Sequence, residues 1–112
     1  MNAKTRTGRH ILRARTRTQR ANARIARRGA GTLTAHGIAA GLAPKAARTV
    51  ASSLRKAVVK LGIAGAAGRT HAGRRMRDCV RYTPAAVAAA AALYRPRIAA
   101  YQAARQHFLL AA

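Results

Sequence analysis

A single acidic residue, Asp78, is set against 23 lysines and arginines in this chain of 112 residues, so the formal net charge is +22. A compact domain with this charge repels itself, and one carboxylate cannot neutralise the cations through internal ion pairs. We therefore expect a polyanion as partner. Nucleic acid is the polyanion that small, strongly basic domains bind.

The same scarcity of acids excludes most hydrolytic chemistry. One carboxylate cannot form a glycosidase acid pair, a two-metal carboxylate site or the active site of a His₂Glu zinc hydrolase. The single cysteine, Cys79, forms neither an internal disulfide nor a CxxC zinc motif. The four histidines, His10, His36, His71 and His107, have no metal-ligand spacing. We expect no enzymatic activity, no cofactor and no bound metal.

The high alanine content of the chain favours a helical fold. Of the 56 hydrophobic residues 31 are Ala, while Leu, Ile, Val and Phe total only 19. Ala is the best helix former and packs closely without large side chains, so we predict an all-α or mainly α fold: one small domain with a basic tail. The longest apolar run, residues 85–94, is too short to cross a bilayer. We expect a cytoplasmic, nucleoid-associated protein without a membrane segment, with a mitochondrial-type presequence as the alternative for the arginine-rich start.

Residues 1–31 form the predicted basic arm, which holds 10 of the 23 basic residues. Seven of its arginines follow helical spacing and would form one cationic stripe on a helix: Arg6, Arg9, Arg13, Arg17, Arg20, Arg24 and Arg27. Three alternatives stay open, namely a helix that folds when phosphates bind, a disordered basic arm, and a helix docked to the core. We expect phosphate contacts from Arg13, Arg17, Arg20, Arg24 and Arg27.

Residues 32–63 predict two helices separated by a tight break. The first runs from Thr34 to Gly41–Leu42, and the second from Pro44 to Leu61, with Gly62 as its C-terminal cap. The apolar face of the second helix comprises Ala47, Val50, Ala51, Leu54, Ala57, Val58 and Leu61. Its other face comprises Lys45, Arg48, Thr49, Ser52, Arg55, Lys56 and Lys60.

This segment resembles the helix-turn-helix of bacterial transcription regulators, and winged-helix proteins among them, of the small basic kind found in plasmids and phages. The resemblance covers about 30 of 112 residues and is carried by Ile38–Leu42 (IAAGL), Arg48–Val50 (RTV), Leu54 and Lys60–Ile63 (KLGI). It implies that the second helix enters the major groove, with base contacts from Lys45, Arg48, Thr49 and Ser52 and phosphate contacts from Arg55, Lys56 and Lys60. A guanidinium such as that of Arg48 can contact guanine bidentately. The alternative is a solvated helix face without ligand.

Residues 64–82 are rich in glycine and arginine and end in the β-prone run Cys79–Tyr82. After a recognition helix, this segment predicts a two-stranded wing whose arginines contact the DNA backbone or the minor groove. A flexible loop is the alternative. In either case we expect phosphate contacts from Arg69, Arg74, Arg75 and Arg77.

Residues 83–112 predict a long C-terminal helix that begins at Thr83–Pro84, an N-cap followed by proline, and is kinked or broken near Pro96. Val87, Ala91, Tyr94, Ile98, Tyr101, Arg105 and Phe108 repeat at alternating steps of 4 and 3, and only Arg105 is charged. This stripe predicts either cover for the core or a homodimer through Val87, Tyr94, Ile98, Tyr101 and Phe108.

Together these features predict a sequence-preferring duplex-DNA-binding protein, a transcriptional regulator or an accessory factor of a mobile element. Two alternatives belong to other classes: a structural RNA-binding protein similar to small ribosomal proteins, and a protein that condenses DNA in a nucleoid or virion. Aromatic residues make up only 4% of the chain, which argues against stacking of single-stranded bases.

Overall fold

The structure is a computed structural model that describes residues 3–112. The described residues form five α-helices and one two-stranded antiparallel sheet, so the predicted mainly α class is confirmed. The elements are, in chain order, α1 Ala3–Arg28, α2 Leu33–Ala39, α3 Pro44–Leu61, β1 Ala66–Ala72, β2 Arg75–Arg81, α4 Pro84–Leu93 and α5 Ala99–Leu110. The first two residues of the predicted arm lie outside the described residues.

Glycines in the left-handed conformation end both central helices. Gly62 has φ 69°, and the next N–H, that of Ile63, donates to the Val58 carbonyl at 2.9 Å. This hydrogen bond is the six-to-one bond of a Schellman motif, and it turns Ile63 back against the core. Gly41, with φ 98°, ends α2 in the same way. Helix α2 is therefore shorter than the predicted Thr34 to Gly41–Leu42.

The main core lies between α3, α4 and α5. Its largest fully buried side chains are Leu54, Val50, Val58 and Val87. Alanines from α3, α4 and α5 complete it, together with Leu33 and Phe108. Leu61, predicted as part of the buried face of α3, is 44% exposed at the last residue of the helix, so the buried face of α3 ends at Val58.

Helices α2 and α3 approach closely at a glycine. A Cβ atom on Gly37 would stand 2.9 Å from the Cβ and 3.1 Å from the Cα of Ala47, closer than packed carbon atoms come. Gly37 and Ala47 are both buried. Small residues at this crossing therefore let the two helices pack with very little side-chain volume between them.

A short backbone pairing joins the end of the hairpin to the start of α2. Gly31 and Tyr82 exchange both backbone hydrogen bonds, at 3.0 and 2.7 Å, as an isolated antiparallel bridge. The buried His36 of α2 adds a third bond, because its Nε2–H donates to the Tyr82 carbonyl at 2.8 Å. These contacts fix the base of the hairpin beside α2.

Of the predicted kink and break near Pro96, the structure has the break, so the C-terminal segment forms two helices. Tyr94 and Ile98 both have extended backbones, so the chain leaves α4 at Tyr94 and enters α5 only at Ala99, with Pro96 between them. The two helices pack on each other, and Arg105 of α5 donates from Nε to the carbonyl of Ala91 near the end of α4, at 2.9 Å. The charge that interrupts the predicted stripe thus hydrogen-bonds the end of α4.

Because of this fold-back, the predicted stripe does not form a continuous seam. Val87 and Phe108, 1% and 2% exposed, are buried in the core of a single chain, and Tyr94 and Tyr101 pack against that core. A partner chain could reach Val87 or Phe108 only if this core opened. Homodimerisation stays a prediction, and of the five residues named for it only Ile98 is largely exposed, at 57%.

The arm is a helix docked to the core, the third of the predicted alternatives. Ala21 and Ile25 of α1 are buried against Ala39 of α2, and Asn22 donates from Nδ2 to the Ala39 carbonyl at 3.1 Å. The side chains of residues 5–13 are all exposed. The whole helix is about 39 Å long at 1.5 Å per residue. Only its C-terminal part is therefore held by packing.

No helix among the described residues combines the length and the apolar character that crossing a membrane requires.

His36 predicts a loss of stability in acid. Burial lowers its pKa from the ordinary 6.5, and His107 adds to the effect, although the bond to the Tyr82 carbonyl opposes it. As the pH falls through the unfolded-state value, the unfolded chain binds a proton before the folded one does, so the free energy of unfolding decreases below that pH. His36→Gln keeps an N–H donor but removes the titration. We expect its unfolding free energy, measured by denaturant at about pH 8 and about pH 5, to change less than that of the wild type.

The exposed His71 supplies the control. The same substitution there, His71→Gln, is the matched variant. Equal flattening in both variants would contradict the assignment to His36.

Candidate nucleic-acid interface

Helix α3 separates a buried apolar face from an exposed polar one. All seven residues predicted on its outer face are exposed: Lys45, Arg48, Thr49, Ser52, Arg55, Lys56 and Lys60. No acidic residue occurs on α3. The structure therefore brings the predicted base-reading and phosphate-binding residues of this helix together on one solvent-facing cationic surface, called the α3 face below.

Two details of the α3 face were not predicted. The Thr49 hydroxyl donates to the Lys45 carbonyl at 3.2 Å, so in this conformation it can only accept a further hydrogen bond. Val59, 75% exposed, lies on the same side as Ser52 and Arg55. The position of Val59 falls outside the apolar spacing of the helix, and this departure was the signal in the sequence that indicated its exposure.

The strand register gives the hairpin two chemically different faces. Side chains alternate along a strand, and Thr70 pairs with Arg77 while Arg69 pairs with Asp78. One face, the cationic hairpin face, therefore carries Arg75, Arg77 and Arg81. The same face carries Ala66, Gly68 and Thr70 on β1, across from these arginines, and Cys79 on β2, between Arg77 and Arg81. All four residues are small.

The opposite hairpin face carries the only acid. Asp78 pairs with Arg69 at 3.6 Å, and both side chains are largely exposed, so the pair contributes little stability. Exposed apolar side chains, Met76 and Val80, lie on the same face. Arg69, predicted as a phosphate ligand, therefore points away from Arg75 and Arg77, and Arg74 lies in the turn.

Glycine determines where the guanidinium of Arg81 lies. A side chain at Gly68 would overlap this guanidinium, which crosses the strand there and donates from Nη2 to the Arg69 carbonyl at 2.8 Å. Arg81 is in this way held across the cationic hairpin face instead of extending into solvent.

The arm and the hairpin meet in a cleft of about 450 Å³. Five arginines line it, which we call the arginine cleft: Arg17, Arg20, Arg24 and Arg28 from α1, and Arg81 from β2. Three of them belong to the predicted stripe, whereas Arg13 and Arg27 lie outside the cleft. Arg28 and Arg81 were not predicted as site residues, because neither lies on the stripe and no local pattern brings α1 to the hairpin.

The aromatic side chains are not arranged for stacking on bases. Phe108 is buried, and all three tyrosines, Tyr82, Tyr94 and Tyr101, are partly buried against the main core. Among residues 3–112, no three His, Cys, Asp or Glu side chains lie together as a metal site. The exposed chemistry of the described chain consists chiefly of guanidinium, ammonium and hydroxyl groups.

No protein-family model, curated protein sequence or solved structure matches this chain. The arrangement of its residues therefore carries the functional argument.

The two faces of α3 predict opposite mutational behaviour. Leu54→Ala removes a fully buried side chain and should lower the free energy of unfolding by about 2 to 5 kcal/mol. Arg48→Ala, on the exposed face, should change it by less than about 0.5 kcal/mol. Denaturant unfolding measures both. A large loss of stability in Arg48→Ala would mean that this residue supports the fold rather than a ligand.

Proposed function

We propose that the protein binds duplex DNA with a preference for sequence, by inserting α3 into the major groove. The observation that carries the proposal is the α3 face, on which seven polar or basic side chains are exposed along one helix in a chain with a single acid. A transcriptional regulator or an accessory factor of a mobile element, associated with the nucleoid, is the role that this activity fits.

The surroundings of α3 support a helix-turn-helix interpretation. Helix α2 precedes it after four residues, Ala40–Ala43, which include a glycine, and α2 packs directly against it. In helix-turn-helix proteins the second helix enters the major groove and its N-terminal residues contact base edges. By this reasoning Lys45, Arg48 and Ser52 read bases.

The later residues of α3 have a different role in this proposal. Arg55, Lys56 and Lys60 follow the reading residues along the helix and contact phosphates on either side of the groove. Val59, exposed among them, offers an apolar contact of the kind that thymine methyl groups accept. The Thr49 hydroxyl donates its hydrogen bond to a backbone carbonyl, so it can offer the DNA only a hydrogen-bond acceptor.

The hairpin and the arm supply contacts that are independent of sequence. The cationic hairpin face follows α3 in the chain as a wing would, and its arginines suit phosphate oxygens. The arginines of α1 extend the positive surface along a helix that projects from the core. The distribution of charge over α3, the hairpin and α1 thus favours a duplex that contacts more than one of these elements.

An RNA partner recognised by base stacking fits this surface less well. Modules that bind single strands stack bases on exposed aromatic rings, and here Tyr82, Tyr94, Tyr101 and Phe108 all pack against or within the core. The alternative function is condensation of DNA without sequence preference, and the experiment below distinguishes it from the proposal.

Two substitutions on α3 test the assignment of roles. Arg48→Ala should relax selectivity at one base pair and cost about 1 to 3 kcal/mol on the best site, because bidentate recognition of guanine is lost. Lys60→Ala should weaken all duplexes alike, because it removes a phosphate contact. Selection of sites from a random duplex library, followed by titration at fixed salt, measures both effects.

Wild-type protein that selects no site would contradict base reading and favour the condensing alternative. Equal losses for Arg48→Ala on selected and random duplexes would reduce Arg48 to a phosphate contact. Selection of structured RNA in preference to duplex DNA would favour the RNA-binding alternative.

Truncation of the arm tests the electrostatic contribution. Removal of residues 2–13 eliminates Lys4, Arg6, Arg9 and Arg13 but leaves Ala21 and Ile25, which dock α1, in place. Each phosphate contact contributes about 0.9 to the slope of log K against log salt. We expect the slope to become shallower by up to about 3.6 units, with base preference retained, and a slope equal to that of the wild type would show that this part of α1 stays off the DNA.

A further inference from the structure

We propose that the arginine cleft binds a chain of phosphate groups, and that this bound chain joins α1 to the hairpin. Its five guanidinium groups, from Arg17, Arg20, Arg24, Arg28 and Arg81, come from two elements far apart in the chain. The inference rests on the proposed function only for its nucleic-acid partner, since the cleft can bind phosphates whether or not α3 reads bases.

The cleft contains no internal counter-charge. Asp78, the single acidic side chain of the protein, pairs with Arg69. Because side chains alternate along a strand, Asp78 lies on the hairpin face opposite to the one that carries Thr70 and Arg81. Thr70, His71 and Arg81 line the cleft from the hairpin, and Asp78 is not among its lining residues. Its arginines therefore face one another without a carboxylate, an arrangement whose repulsion a bound anion relieves.

The chemistry of the lining suits phosphate. A guanidinium presents a planar set of N–H donors that matches two phosphate oxygens, and bonds of this kind are charge-assisted. Arg81 uses one donor on the Arg69 carbonyl and has others left. The threonine hydroxyls of Thr32, Thr34 and Thr70 add neutral hydrogen-bonding groups to the lining.

The size of the cleft indicates a ligand with several phosphates. Its volume, about 450 Å³, lies in the range of small-ligand pockets, about 300 to 1,000 Å³. One phosphate cannot engage five guanidinium groups spread over three turns of α1 and one strand. Two sources offer this chemistry: the backbone of a nucleic acid, and a free polyphosphate compound.

The test uses the full chain and inorganic tripolyphosphate, titrated by calorimetry. Wild-type protein should bind it saturably, in a 1:1 complex. Arg20→Gln combined with Arg24→Gln should weaken that binding by about tenfold or more, because two charge-assisted contacts are lost. The matched control, Arg9→Gln combined with Arg13→Gln, removes the same charge from the exposed, projecting part of α1 and should change the affinity by less than about twofold.

A second pair approaches the cleft from the hairpin. Arg81→Gln should weaken tripolyphosphate binding, whereas Arg74→Gln, in the exposed turn, should leave it unchanged. Thermal unfolding of each variant verifies that the fold is kept. Binding that does not saturate, or equal losses in the cleft variants and their controls, would overturn the proposal by showing that only the total charge matters.

Competition with duplex DNA identifies the source of the phosphates. If the DNA backbone occupies the cleft, protein saturated with duplex no longer binds tripolyphosphate. If DNA-bound protein still binds it, and Arg20→Gln with Arg24→Gln abolishes that binding, the cleft takes a free polyphosphate. Arg48→Ala should leave tripolyphosphate binding unchanged in both cases, so a failure of base reading by α3 stays distinguishable from a failure of the cleft.

Discussion

Uncompensated positive charge constrains every other feature of this structure. With a single carboxylate in the chain, the cations cannot be buried as ion pairs, so almost all of them lie on exposed surfaces and the core is left to neutral side chains. That core consists largely of alanine with a few larger residues such as Leu54 and Phe108. Small side chains need close backbone approach, which Gly37 against Ala47 provides.

Hydrogen bonds to backbone groups connect the helices and the hairpin here, as ion pairs do in proteins of mixed charge. The Tyr82 carbonyl accepts from the Gly31 N–H and from His36, Asn22 donates to the end of α2, and Arg105 donates to the end of α4. Each side-chain bond places a donor on a carbonyl at or next to the end of an element, where such groups lack part of their regular backbone pairing. One arginine is thus absorbed into the fold at a helix end, where its charge is favourable.

Local pattern predicted much of what lies within one element, although α2 is shorter than predicted, Leu61 is exposed, and the hairpin is one of two predicted alternatives for residues 64–82. The span Pro44–Leu61, its glycine cap and the exposed α3 face follow from periodicity and capping residues, and the hairpin follows the run of Gly and β-prone residues. Contacts between elements were not predictable in this way. The stripe from Val87 to Phe108 is periodic in sequence, yet the extended residues around Pro96 fold it back on itself. Likewise, nothing near Arg81 in the sequence indicates that it meets α1.

The division between a thin neutral core and a dense cationic surface has a thermodynamic consequence. A core with few large side chains yields a small margin of stability, while repulsion among 23 cations opposes the compact state. Any polyanion that binds the folded chain more tightly than the unfolded chain adds its binding free energy to that margin. The elements held by the fewest apolar contacts, the hairpin and the N-terminal part of α1, carry much of this charge. Their order in the free protein is therefore weakly supported by packing, and in the proposed complex the phosphates that neutralise their arginines would also fix them in place.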